Sequence, residues 1–173
     1  MSSRVVLAVW MVVVAACSAT ACSTPAPADG TRSAGVLDTA ALRTTLQARL
    51  ASVMGYVAGK QVDSLANAFT DDAVWIDGAS GKATTGRTAI AGVFTAMTEP
   101  LENMTTEAAV VDHLVVVDSV TAVTFGHVQA RFRLRGAPAP VHMFESTVDH
   151  WVKGADGTWR IRYESNGQVL LPN

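Results

Sequence analysis

Phe69-Thr70-Asp71-Asp72-Ala73-Val74-Trp75-Ile76-Asp77 reads as a turn that feeds a strand. The paired acids halt a helical pattern, because Asp at such a junction accepts nearby backbone N–H groups. Ala73 to Asp77 then alternates, with Trp75 and Asp77 on one face and Val74 and Ile76 on the other. A carboxylate beside an indole is a candidate proton carrier, since partial drying raises its pKa. The plainer reading makes Asp77 an acceptor for backbone groups in the loop that begins at Gly78.

Upstream, Leu42, Leu46, Leu50, Val53 and Val57 form one apolar stripe on a helix expected over Thr39 to Ala58, ended by Gly59. Arg43 and Gln47 fall off that stripe. A shorter helix is expected over Asp63 to Phe69, with Asp63 capping its first turn. Downstream, Gly78 to Gly86 reads as a loop, and Thr88 as the cap of a third helix carrying Ile90, Val93, Phe94 and Met97. The period then changes to two. Strands are expected over Ala108 to Val117, Val120 to Leu134, His142 to Val152 and Thr158 to Ser165, with Trp159, Ile161 and Tyr163 facing one way and Arg160, Arg162 and Glu164 the other. Helices first and hairpin-joined strands later make an α+β domain, its helices covering one face of a curved antiparallel sheet.

The 173 residues leave room for one such domain and an appendage. Met1-Ser2-Ser3-Arg4 followed by the apolar run Val5 to Val14 has the layout of a secretory signal peptide, too short to span a bilayer. Val14-Ala15-Ala16-Cys17 resembles a bacterial lipobox, with Cys17 as the lipidated first mature residue; Ala19-Thr20-Ala21-Cys22 is a weaker second match. The expected organisation is a signal peptide over 1–16, a Pro-, Ser- and Gly-rich tether over 17–38, and a folded domain over 39–173. Lipid on Cys17 makes membrane lipid a partner and places the chain, exported, at the bacterial cell membrane or envelope surface. With Cys22 left single, no disulfide braces the domain. A net charge of -2 and the lack of a basic, aromatic-interleaved stripe argue against a nucleic-acid partner. His113, His127, His142 and His150 lack metal-ligand spacing, so no metal is expected. Without a phosphate loop or dinucleotide fingerprint, no cofactor is expected either.

The run Ala68 to Asp77, the segment Gly86-Arg87-Thr88-Ala89-Ile90 and the ending Trp151-Val152-Lys153 with Asp156-Gly157-Thr158-Trp159-Arg160-Ile161 resemble the NTF2-like superfamily. Within it they are similar to the SnoaL-like and ketosteroid-isomerase-like branch, over about Thr39 to Leu170. The resemblance implies a cone: three N-terminal helices packed on a strongly bent, mainly antiparallel sheet, with a pocket between. It also implies Asp77 as general base. Asp149, within Thr147-Val148-Asp149-His150-Trp151, would be the protonated hydrogen-bond donor. The oxyanion-hole tyrosine expected near Val53 is replaced by valine, leaving Tyr56 as the nearest hydroxyl.

Trp75, Val53, Phe94, Met143, Thr147 and Trp151 are the expected pocket lining. Asp71-Asp72 read as structural, and Arg131, Arg133, Arg160 and Arg162 as a solvated or subunit-facing surface of a homodimer. Three functions follow. The first is a lipid-anchored domain binding a small apolar molecule with little or no catalysis. The second is an isomerase, cyclase or dehydratase acting on a polyketide- or steroid-like substrate. The third is a structural dimerising domain with a closed cavity.

Overall fold

The computed structural model describes residues 38–171. The expected signal peptide, Cys17, Cys22 and nearly all of the tether lie outside the described residues. Helix α1 spans Thr39–Ala58, where Asp38 caps the first turn by accepting from the Ala40 and Ala41 amides. Helix α2, Val62–Ala66, is shorter than expected: the backbone of Gln61, not an Asp63 side chain, opens it. Strand β1 runs Phe69–Asp77 and takes in Asp71 and Asp72, which had been expected to form a turn. A three-residue strand β2, Ala83–Thr85, lies inside the expected loop, and helix α3 follows at Arg87–Thr98. Then come β3 (Leu101–Val116), β4 (Thr121–Leu134), β5 (Val141–Lys153) and β6 (Trp159–Leu171).

The six strands form one sheet in the order β2-β1-β6-β5-β4-β3. Every pairing is antiparallel except β1 with β6. This is the expected α+β arrangement, a mainly antiparallel, curved and unclosed sheet with helices packed on one face.

Bulges bend the sheet. Strand β3 shifts register against β4 three times, between Leu101 and Asn103, Thr106 and Ala108, and Val111 and His113. Each extra residue adds twist and leaves backbone groups unpaired. Helix α1 satisfies those at the third bulge. Arg43 donates to the Val111 carbonyl at 2.6 Å and to that of Asp112 at 3.2 Å. Gln47 accepts from the Val111 amide at 2.8 Å and donates to the Ala109 carbonyl. Two polar residues off the apolar stripe therefore tie α1 to the sheet. Gly126 sits opposite the same bulge; a Cβ there would stand 2.4 Å from the Val110 carbonyl oxygen.

The core gathers Leu42, Leu46 and Val53 of α1, Leu65 of α2, Phe69, Ala73 and Trp75 of β1, Ile90 and Phe94 of α3, and Trp151, Trp159 and Ile161 of the sheet. Phe94 is its aromatic hinge, with ring centroids 5.9 Å from Phe69 and 5.8 Å from Trp75. A second cluster of Met54, Val128, Ala130 and Met143 joins the C-terminal half of α1 to β4 and β5. The cavity opens beside it.

Candidate functional site

Strand β6 decides what lines that cavity. Trp159 and Ile161 are buried, as alternation requires. Arg162 is then an extra residue: His150 pairs with Tyr163 while Trp151 pairs with Ile161. The bulge exchanges the two faces of the strand beyond it. Tyr163, expected inward, is 37% exposed, and Glu164, expected outward, is 7% exposed. Asn166 and Gln168 follow Glu164 onto the inner side. The bulge is pinned across β1, which is irregular between Phe69 and Val74. Asp72 pairs with Arg162 at 2.8 Å and accepts from Thr70 at 2.8 Å, while Asp71 pairs with Arg87 at 3.1 Å.

Strand β5 meets this face residue by residue. Met143 pairs with Leu170, Glu145 with Gln168, Thr147 with Asn166, and Asp149 with Glu164. The resulting cavity, about 290 Å³, is bounded by Val53, Met54 and Val57 of α1, Phe94, Met97 and Thr98 of α3, and Met104, Phe132 and Met143 of the sheet. Glu145, Glu164, Asn166 and Gln168 supply its polar side. A neighbouring hollow of about 400 Å³, bounded by Trp75, Asp77, Lys82, Thr84 and Val93, shares Met97, Asn166 and Gln168 with the first.

Three acids are buried here: Glu145 and Glu164 at 7% exposure and Asp149 at 1%. Glu145 accepts from Gln168 at 2.5 Å and from Asn166 at 3.4 Å. Burial raises its pKa, and the two amide donors hold the rise in check. Glu164 accepts from the Trp75 indole at 3.1 Å. Burial, then the charges of Asp149 and Glu145, push its carboxyl well above the usual range. Asp149 accepts from Thr124 at 3.2 Å and Thr147 at 3.3 Å, and the Trp151 indole donates to Thr124 at 2.8 Å. Desolvation outweighs those bonds and lifts Asp149 to about 7. Glu145 has two side-chain donors to offset its burial and Glu164 has one.

The expected site residues divide. Val53, Phe94 and Met143 line the cavity, and Trp75 lines the adjoining hollow. Thr147, Asp149 and Trp151 lie buried in the sheet and line neither space. Tyr56 packs against the core cluster and is also outside both linings. Asp77 borders the adjoining hollow, but its carboxylate accepts from the Ala79 amide at 2.9 Å and the Ser80 hydroxyl at 2.7 Å. These bonds lower its pKa, the opposite of the rise expected beside Trp75. The loop-capping reading of Asp77 is the one its contacts express. Glu145 was legible as sharing a face with Met143 and Asp149, whereas Glu164 was hidden by the bulge. Among the described residues, no group of three His, Cys, Asp or Glu side chains is placed to hold a metal ion, and no helix is long and apolar enough to cross a membrane.

A profile of the SnoaL-like domain matches residues 38–164. No curated protein matches the chain. Among solved structures, a ketosteroid isomerase-like protein from Erwinia carotovora atroseptica superposes with a TM-score of 0.63 at 14% identity, over 75% of this chain and 97% of that one. A putative scytalone dehydratase from Novosphingobium aromaticivorans gives 0.66 at 14% identity, over 75% and 85%. A hexachlorocyclohexane dehydrochlorinase from Novosphingobium barchaimii gives 0.64 at 17% identity, over 79% and 93%. At these identities the likeness is one of fold.

Proposed function

Since the chain belongs to the SnoaL-like domain family of the NTF2-like superfamily, we propose that it binds a compact, largely apolar molecule in the cavity between α1, α3 and the sheet. The observation that carries this reading is the cavity wall itself: apolar side chains on most sides and a few convergent polar groups on one. Anchoring through lipid on Cys17, display at the bacterial envelope and pairing of two copies through the outer sheet face belong to the same proposal. Its test is extraction of the full chain, purified in mild detergent, followed by mass spectrometry of the organic phase. A compound that co-purifies with the chain, and is lost when Met143→Trp fills the cavity, supports the reading. Equal recovery from both proteins overturns it. Lipid on Cys17 is read separately, from the mass of the N-terminal peptide.

A second reading is catalytic, and one observation favours it. Glu145 and Glu164 face one cavity with different proton affinities, the arrangement that lets one carboxylate take a proton while its neighbour donates a hydrogen bond. In such an isomerase or dehydratase the base is Glu145, which lines the cavity and whose pKa burial raises, rather than Asp77, whose pKa its loop bonds lower. The similar folds include proteins named for dehydration and dehydrochlorination, reactions that begin by moving a proton. Turnover of a carbon acid by the purified chain, abolished by Glu145→Gln and kept by Asp77→Asn, would mark this reading as the right one. Turnover lost in Asp77→Asn and kept in Glu145→Gln would restore Asp77.

A further inference from the structure

We infer that the cavity selects a hydrophobic cation, an alkyl- or arylalkylammonium whose N–H groups sit on Glu145 and Glu164 while its apolar body lies against methionine and phenylalanine. This rests on the binding reading above and names the class of ligand.

Charge is the first argument. Glu145 and Glu164 line the cavity, Asp149 stands directly behind Glu164 in the sheet, and no Lys, Arg or His is among the lining residues. The ion pairs among the described residues form elsewhere: Arg87 with Asp71, Arg131 with Glu107, Arg133 with Glu102, Arg160 with Asp156, Arg162 with Asp72, and two histidines with Asp112 and Glu107. None of them reaches the three buried acids. Burying carboxyl groups without a cation carries a desolvation cost, which a bound cation offsets.

Open acceptor capacity is the second. Glu164 commits Oε1 to Trp75, and no hydrogen bond from the described residues reaches its other oxygen, although the side chain is only 7% exposed and borders the cavity. Because Glu164 lines the cavity, that oxygen is free for a ligand donor. Both oxygens of Glu145 meet amide donors, and a carboxylate oxygen has room for a second donor.

The wall is the third. Met54, Met97, Met104 and Met143 surround the space together with Phe94 and Phe132. Thioethers are polarizable and adapt to irregular bodies, and aromatic faces attract ammonium groups. An anionic ligand would face two acids, and a neutral hydrocarbon would leave the Glu164 acceptor unpaired. A volume of about 290 Å³ restricts the choice to compact molecules.

The test uses the full chain in mild detergent and equilibrium dialysis with three probes of similar shape. They are 2-phenylethylamine, its hydrocarbon isostere propylbenzene, and 3-phenylpropanoate. The amine is expected to bind about tenfold or more tighter than the hydrocarbon, and the carboxylate weakest. Glu145→Gln and Glu164→Gln should each bring the amine towards the hydrocarbon's affinity without changing that of the hydrocarbon, and Met143→Trp should block both. Hydrocarbon binding as tight as amine binding would leave the apolar pocket standing and overturn the cation. An amine preference unchanged in both glutamine variants would also overturn it, because the cation would then sit elsewhere. Failure of all three probes to bind would remove the binding reading together with the inference.

Discussion

Replacing Asp149 by Asn should make the protein more stable at pH 8, although it alters one of the most deeply buried polar side chains. The folded-state pKa of Asp149 is raised from 3.8 to about 7, chiefly by burial. Between those values the native state holds a proton that the unfolded chain has released. Stability therefore falls as pH rises through that window, and the penalty is complete above the folded-state pKa. At about 1.4 kcal/mol per pH unit, the full penalty is about 4 kcal/mol. Asn keeps the shape and an acceptor for Thr124 and Thr147 while carrying no charge. It also removes a charge that helps raise Glu164. An imperfect amide fit returns about 1 kcal/mol, leaving a net gain of about 3 kcal/mol at pH 8 and a slight loss at pH 4. Urea denaturation of the full chain and the variant at pH 4, 6 and 8 reads this directly. Curves that run parallel across that range would refute the reasoning, as would a variant less stable than the parent at pH 8.

Other outcomes follow from the same geometry. Gly78→Ala would place a Cβ 1.7 Å from the Asn166 carbonyl oxygen, so a loss of about 2 kcal/mol or more is expected by denaturation, with weakened ligand binding as Asn166 moves from Glu145. Leu46→Ala, at a fully buried contact of α1 with the core, should cost about 2–5 kcal/mol, read from the shift in urea midpoint. Asp38→Ala removes the cap of α1 and should cost about 1 kcal/mol in the same assay, independent of ligand. Asp77→Asn should leave amine-probe binding unchanged while loosening the 78–82 loop, seen as faster amide exchange there; a large loss of binding would return Asp77 to the site.

Where the cues were local, the elements were readable. The four-, four- and three-residue spacing of Leu42, Leu46, Leu50 and Val53 set α1 to the residue, since helical amphipathicity repeats within a few turns. Alternation placed β4 and β5, and with it the shared face of Met143, Glu145, Thr147, Asp149 and Trp151. The match of the Phe69 to Asp77 run with the closing hairpin was enough to identify the family and its cone. Other features required partners distant in the chain. Arg43 and Gln47 were read only as lying off the apolar stripe, because nothing in α1 announces that a bulge in β3, more than 60 residues away, will need their hydrogen bonds.

The amino-acid sequence by itself determined the three helices, the strand-rich second half and the burial of Trp75 and Trp151. Only the tertiary structure decided which acids face the cavity. A period of two carries no memory of a skipped residue: one extra position at Arg162, held against Asp72 of a strand 90 residues earlier, turns Tyr163 outward and Glu164 inward. The same fold gave Asp77 a loop to cap, and the loop's hydrogen bonds lower its pKa. Strand composition is written residue by residue, whereas a bulge exists only between paired strands, and the chemistry of this cavity depends on the bulge.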